Sequence, residues 1–290
     1  MFGTLIIAYL FLGGAAGGAF FVMSAWSLGF YRAALAKPAR QQRAFKALQA
    51  RVYVVSLIVL ATSIACLLWD LEYPERALLL FTRPRPTVLT FGAYVLATQF
   101  ALGAALALAN ALDLASIGGR ARKVLEALCC ACSVAVMAYT GVFLASNAAV
   151  SVWNTWTLVG VFLFSSLSSG VSLTLLIDYF IHDQTLLLRA AKPLQRCHLA
   201  CLAAEAAFIA AFVASMLANP ATSKSVALLL SPDVLPVAVI GVCGFGIAAP
   251  FVLESYALTT KESRAIPVSD AVCLFGSLCL RWCVIVCGVH

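Results

Sequence analysis

Eight apolar stretches, each long enough to cross a bilayer, take up most of this 290-residue chain. That one feature removes nearly every soluble architecture. A helical span needs about 20 mostly apolar residues, and the stretches run Leu5–Phe30, Val52–Trp69, Val88–Leu112, Val124–Ser146, Trp156–Ile181, Cys197–Leu217, Val234–Leu258 and Pro267–Gly288. Hydrophobic residues make up 63% of the chain and charged ones 11%, too little polar material to clothe a soluble domain. Lipid offers the backbone no hydrogen bonds, so spans of this length are helices. The expected fold is an all-α membrane protein with eight transmembrane helices. The connections are short and leave no room for a soluble domain.

Basic residues sort onto alternate connections. Arg32, Lys37, Arg40, Arg43, Lys46 and Arg51 occupy the first, Arg120, Arg122 and Lys123 the third, Arg189, Lys192 and Arg196 the fifth, and Lys261 and Arg264 the seventh. The even connections hold only Arg76, Arg83, Arg85 and Lys224. Lys and Arg stay on the cytoplasmic side, so the odd connections are predicted to be cytoplasmic and both termini extracytoplasmic. The net charge of +7 is mostly this topology signal, and its spread over short loops argues against a nucleic-acid partner. No Lys or Arg precedes the first stretch, which therefore reads as a permanent span rather than a cleaved signal peptide.

Eleven cysteines raise the question of metal or disulfide chemistry. Cys129, Cys130 and Cys132 fall inside the fourth span, and Cys279, Cys283 and Cys287 form one stripe of the eighth. No pair of CxxC motifs and no iron–sulfur run is present, so these read as small buried hydrophobes and no metal is expected in this chain. The three histidines are His182, His198 and His290. The first two fall at cytoplasmic helix ends and the third at the C-terminus, so haem held by histidines deep in the spans is not expected.

Charged groups within spans mark function. Asp270, Ser277 and Arg281 share a stripe of the last span, Glu205 lies deep in the sixth, and Asp178 and Glu254 lie nearer the cytoplasmic ends of the fifth and seventh. Two readings stand side by side: internal pairing, with Arg281 and an acid as the obvious case, or a hydrated proton route through Asp178, Glu205, Glu254, Asp270 and Arg281. The fifth span carries Ser165, Ser166, Ser168, Ser169, Gly170, Ser172 and Thr174, which suit close helix packing more than a water-lined wire. Gly13, Gly14, Gly17 and Gly18 predict a tight crossing of the first span. Pro236 and Pro250 predict a kinked or locally opened seventh.

On the outer side, Asp70 to Arg76 closes the second span, and the following loop contains Arg83-Pro84-Arg85-Pro86. Such a loop can cap the bundle or dock a partner. Trp153 and Trp156 flank Asn154 at the next outer connection, where an aromatic belt is the ordinary reading. Tyr139 lies about 10 Å inside the outer end of the fourth span at 1.5 Å per residue. A hydroxyl at that depth needs a partner.

Four segments together resemble the NrfD family, which includes the polysulfide reductase membrane subunit. They are Tyr9 to Gly18, Asp70 to Arg76 with the Arg-Pro-Arg-Pro that follows, Ala138 to Leu144 running on to Val152-Trp153-Asn154-Thr155, and Leu280 to Gly288. They occur in the family's order and spread over nearly the whole chain. The resemblance implies two four-helix bundles, residues 1–146 with a quinone site and residues 147–290 with a proton route. It also implies a multi-pass protein of a prokaryotic cytoplasmic membrane. Its partners would be a ferredoxin-like iron–sulfur subunit on the extracytoplasmic side and, through it, a catalytic subunit, often a molybdopterin enzyme. Carried over, Tyr139 bonds the head-group of a menaquinone or ubiquinone, with Thr140 and Asn154 of the same segment beside it. Asp70 sits at the mouth and Tyr9 lines the site. Where some members carry His and Asn near the first of these segments, this chain has Tyr9 and Ile6, which offer no basic nitrogen and no hydrogen bond respectively.

A quinol needs an apolar slot, a hydrogen-bonding group, a proton acceptor and a nearby electron carrier. The carrier must come from a partner, because cofactors supply the redox chemistry. The expected activity is quinol oxidation feeding a terminal reductase. Alternatives are a passive anchor, an anchor of the dimethyl-sulfoxide-reductase type, and a secondary transporter, whose usual internal repeat is not evident.

Overall fold

The computed structural model describes residues 3–32, 39–70, 87–111, 119–147, 149–180, 184–259 and 267–288. Long helices follow directly from the apolar runs: α1 Thr4–Arg32, α2 Ala39–Asp70, α3 Val88–Ala111, α4 Gly119–Ala145, α5 Trp156–Tyr179 and α6 Gln184–Ala218. A 3₁₀ turn at Pro220–Thr222 and the short α7, Ser223–Leu229, follow. A π-helical segment, Val237–Ala248, then runs into α8, Ala249–Thr259, and the last helix is α9, Pro267–Gly288. Eight helical stretches are long and apolar enough to cross a membrane, the π segment and α8 counting as one. This is a multi-pass membrane protein.

Helices α2 and α6 begin well before their apolar runs. Their first turns are rich in Ala, Gln, Leu, Arg and Lys, good helix formers, so the helix continues where hydropathy stops. One end of the molecule therefore gathers Arg43, Lys46, Arg51, Arg120, Arg122, Lys123 and Arg196. We call it the basic end.

The π segment lies between Pro236 and Pro250, where an opened helix was expected. Proline removes a backbone donor, and π turns are one way a span re-forms its ladder around such a break. The widened segment packs on α9.

Helix α1 packs against α2, α4 and α5, and α3 fills the space between α2 and α4. Helix α5 packs against α1, α4, α6 and α9. Glycines set the closest approach. A side chain on Gly18 would meet the Ser166 carbonyl and the Gly170 backbone, and one on Gly170 would meet the Gly18 backbone. Gly17 abuts Val136 and Met137 of α4. The glycine-rich crossing predicted for the first span is this contact of α1 with α4 and α5.

Trp153 departs from the belt reading. It is 1% exposed, its Nε1 donates to the Val284 carbonyl at 2.9 Å, and its ring covers Gly288. An indole with a donor satisfied by another helix gains more from burial than from the interface. Trp69 and Trp156, by contrast, are more than four-fifths exposed, as a belt requires.

Candidate functional site

Tyr139 lies two turns from the end of α4, 6% exposed. Its ring lies on Gly92 of α3, so closely that any β-carbon there would strike the ring and hydroxyl. Phe143, one turn on, packs at 6.0 Å between ring centroids. Tyr9 of α1 is buried and lies near Tyr139. Its carbonyl accepts from Ser63 Oγ of α2 at 3.0 Å. Asp70 ends α2 half-buried, and its Oδ1 is 2.7 Å from where a β-carbon on Gly3 would sit. A carboxylate beside the start of α1 is favourably placed against that helix's positive end.

Thr140 and Asn154 are placed differently. Thr140 is buried, but its hydroxyl donates back to the Met137 carbonyl at 2.9 Å, so its donor stays within α4. Asn154 is exposed in the turn after α4. The loop from Leu71 to Pro86, with Arg76 and the Arg-Pro-Arg-Pro run, lies outside the described residues.

A second polar assembly joins α5, α6, α8 and α9. His198, Glu254, Asp270 and Arg281 are each no more than 2% exposed, and Glu205 is 4% exposed. His198 Nδ1 lies 2.6 Å from Glu254 Oε1. Its Nε2 faces Ser168 Oγ at 3.1 Å, Ser172 Oγ at 3.3 Å and Cys273 Sγ at 3.7 Å. Donor atoms of His198, Glu254 and Asp270 lie within 4.8 Å of one another, a set that could hold a metal ion or pass a proton. Among the described residues, Glu254 Oε2 and Asp270 Oδ1 meet no hydrogen-bond partner. Glu205 lies near Ser165, Ser168, His198 and Arg281.

His198 corrects the reading of the histidines. It was placed at a helix end because the apolar run starts at Cys197, but α6 begins at Gln184 and carries His198 inside the packed bundle. No spacing motif could have found the triad, since its members come from three different helices.

Arg281 corrects the expectation of an acid partner. Its Nε donates to the Leu10 carbonyl at 3.0 Å, Nη1 to the Ser277 carbonyl at 2.8 Å, to Ser277 Oγ and to Ser165 Oγ at 3.1 Å, and Nη2 to Ser166 Oγ at 2.9 Å. Among the described residues no carboxylate bonds it. Phe11 and Phe162 lie over the guanidinium at 5.9 and 5.6 Å, adding cation–π attraction. Gly14 leaves the space it needs, for a β-carbon there would sit 2.7 Å from Nη2. The serines of α5 thus do more than pack: Ser165 and Ser166 solvate Arg281, and Ser168 and Ser172 face His198. Asp178 stands apart, half-buried near the end of α5.

A third network was not anticipated. At the basic end, Glu126 Oε1 accepts from Ser27 at 2.7 Å, from Gln49 at 3.0 Å and from Arg122 at 3.3 Å. The Arg122–Glu126 spacing of four on one helix was the available signal.

An apolar cavity of about 210 Å³ lies between α6, the π segment and α9. Phe212, Met216, Leu235, Val242, Cys283 and Cys287 are among its lining residues. It offers no polar group to orient a ring oxygen, unlike the Tyr9–Tyr139 region. The cysteines are free thiols.

No curated protein matches the chain. The family model described as polysulphide reductase, NrfD, matches residues 1–290, and the chain belongs to the NrfD family.

Proposed function

We propose that this chain is the membrane subunit of a respiratory oxidoreductase, exchanging electrons between membrane quinone and an iron–sulfur subunit on its extracytoplasmic side. The observation that carries the reading is Tyr139, buried deep in a span and held against Gly92 beside Tyr9, within a chain of the NrfD family. Two phenols in an apolar wall, with Asp70 at the nearby helix end, are what a quinone ring requires: a donor for a ring oxygen and an acid near the exit. The redox chemistry belongs to the quinone and to the partner's cluster; this chain binds, orients and manages protons.

In this reading residues 1–146 form the quinone-binding half and residues 147–290 the proton-handling half. Helices α1 to α4 pack around one another, α5 packs on both α1 and α4 as well as on α6 and α9, and the His198 assembly draws on α5, α6, α8 and α9. The basic end faces the cytoplasm. Quinol oxidation delivers two electrons to the iron–sulfur partner, which passes them to a catalytic, molybdopterin-type subunit. Glu254, His198, Asp270 and Glu205 form the proton route of the second half, Asp178 stands at its cytoplasmic approach, and Arg281 fixes the potential at its inner end.

Gentle purification from the native membrane tests this directly. Co-purifying ferredoxin-like and catalytic subunits, with quinone in the lipid extract, are expected. Tyr139→Phe should slow quinol turnover while the complex still assembles. An isolated chain without quinone, or unchanged turnover in Tyr139→Phe, overturns the reading or removes Tyr139 from it.

A further inference from the structure

In the first half of the chain a file of buried polar side chains runs from the basic end toward Tyr139. Arg122, whose side chain is 23% exposed, stands at the entrance and donates to Gln49 Oε1 at 2.8 Å. Gln49 and Ser27 both hold Glu126 Oε1. Next inward, the hydroxyls of Tyr53 and Ser24 lie 3.1 Å apart. Cys129 then accepts from Gln99 Nε2 at 3.4 Å and adjoins Ser24 and Ser133. Ser56 of α2 and Ser133 of α4 end the file.

The file is incompletely satisfied in a patterned way. Glu126 Oε2, Gln99 Oε1, Ser56 Oγ and Ser133 Oγ are all buried and meet no hydrogen-bond partner among the described residues, and each of these residues is 0% exposed. A buried polar atom left unmatched costs about 1–3 kcal/mol. Such atoms also occur elsewhere among the described residues, and four of them fall within this one file. Buried water, which makes about three hydrogen bonds each, resolves them together.

We propose that this file is a hydrated proton half-channel, entered past Arg122 and loaded at Glu126, which carries the ring's protons between the basic end and the site at Tyr139. Register places one apolar layer, Leu60 of α2, Leu96 of α3 and Val136 of α4, between the file and the level of Ser63, Tyr9 and Tyr139. Ser56 and Ser63 are about 10 Å apart along α2, so about three waters at about 2.8 Å spacing bridge the layer when a proton crosses. The layer otherwise keeps the file from leaking. Oxidation of one quinol gives the quinone, two electrons and two protons; the electrons go to the partner's iron–sulfur cluster and the protons leave by the file. This rests on the quinone reading above and adds a route distinct from the His198 assembly.

The test uses the intact complex with its partner subunits. Its cryo-EM map should show water at Glu126 Oε2, Gln99 Oε1, Ser56 Oγ and Ser133 Oγ. In oriented proteoliposomes, Glu126→Gln keeps an acceptor for Ser27 and Gln49 but carries no proton, and should lower quinol turnover by about 100-fold, within the usual range for a lost acid–base group. Glu126→Asp should restore much of the rate. Gln99→Leu, close in shape, should slow turnover and proton release to the basic side together. In each variant the bound quinone content should stay at the wild-type value. Wild-type rate and unchanged proton sidedness in Glu126→Gln and Gln99→Leu, or a dry file in the map, overturn the half-channel alone. Wild-type complex that binds and turns over no quinone overturns the quinone reading and the half-channel with it.

Discussion

His198 Nδ1 and Glu254 Oε1 approach to 2.6 Å across α6 and α8, both side chains fully buried. Neither is tolerable alone at that depth: an unpaired carboxylate without water is costly, and the imidazole would lose its strongest neighbour. Breaking a buried pair by removing one partner typically costs about 3–5 kcal/mol. His198→Ala should therefore lower the melting temperature in detergent sharply, Glu254→Gln much less, because Gln still offers an oxygen to the ring. Equal melting temperatures for the two variants would show that the pair does not hold these helices.

Arg281 should not tolerate lysine. The guanidinium spreads its donors over Leu10, Ser165, Ser166 and Ser277, a fan that a compact ammonium with three donors cannot match. With two or more buried acceptors left unmatched at about 1–3 kcal/mol each, Arg281→Lys should destabilise by at least about 2 kcal/mol. Thermal denaturation of the purified protein checks this, and a wild-type melt for Arg281→Lys would contradict it.

Glycine replacements should separate fold from site. Gly92→Ala displaces Tyr139 and is expected to weaken quinone turnover several-fold with little loss of assembled protein. Gly170→Ala forces α1 off α5 at a backbone contact and should reduce the yield of folded protein, since overpacking costs about 1–3 kcal/mol or more. Gly29→Ala, with nothing within 4 Å, should behave as wild type. Yield, melting temperature and turnover read the three cases apart.

Thiol labelling reports the orientation. Cys197 and Cys243 are exposed, the first at the basic end and the second within the π segment. In sealed right-side-out vesicles a membrane-impermeant maleimide should miss both. After inversion it should label Cys197, which then faces water, and still spare Cys243, because a membrane-impermeant reagent does not reach a thiol within the span Val237–Thr259. Labelling of Cys197 before inversion would reverse the topology.

Much of the fold was legible because its cause is one-dimensional. An apolar run of the right length is a span whatever surrounds it, so the number of spans and the crossing at Gly17 and Gly18 follow from local sequence. The Tyr139 environment was legible in part: the depth of Tyr139 came from counting residues, whereas Gly92 beneath its ring did not, because nothing in α3 marks that glycine among others. His198 was misplaced for a physical reason. Hydropathy ends a span at the first basic residue, but the helix runs on, and tertiary packing buries what the apolar run excludes. Trp153 shows the same limit in reverse, since a loop aromatic looks interfacial until another helix supplies its acceptor.

The bond from Arg281 to the Leu10 carbonyl ties α9 to α1 one residue from Tyr9. Tyr9 and the acceptor of a buried cation are thus neighbours on one helix. Gly14 keeps the guanidinium against that helix, since a β-carbon there would sit 2.7 Å from Nη2, so the first and last spans are joined by a buried charge and not by apolar contact alone.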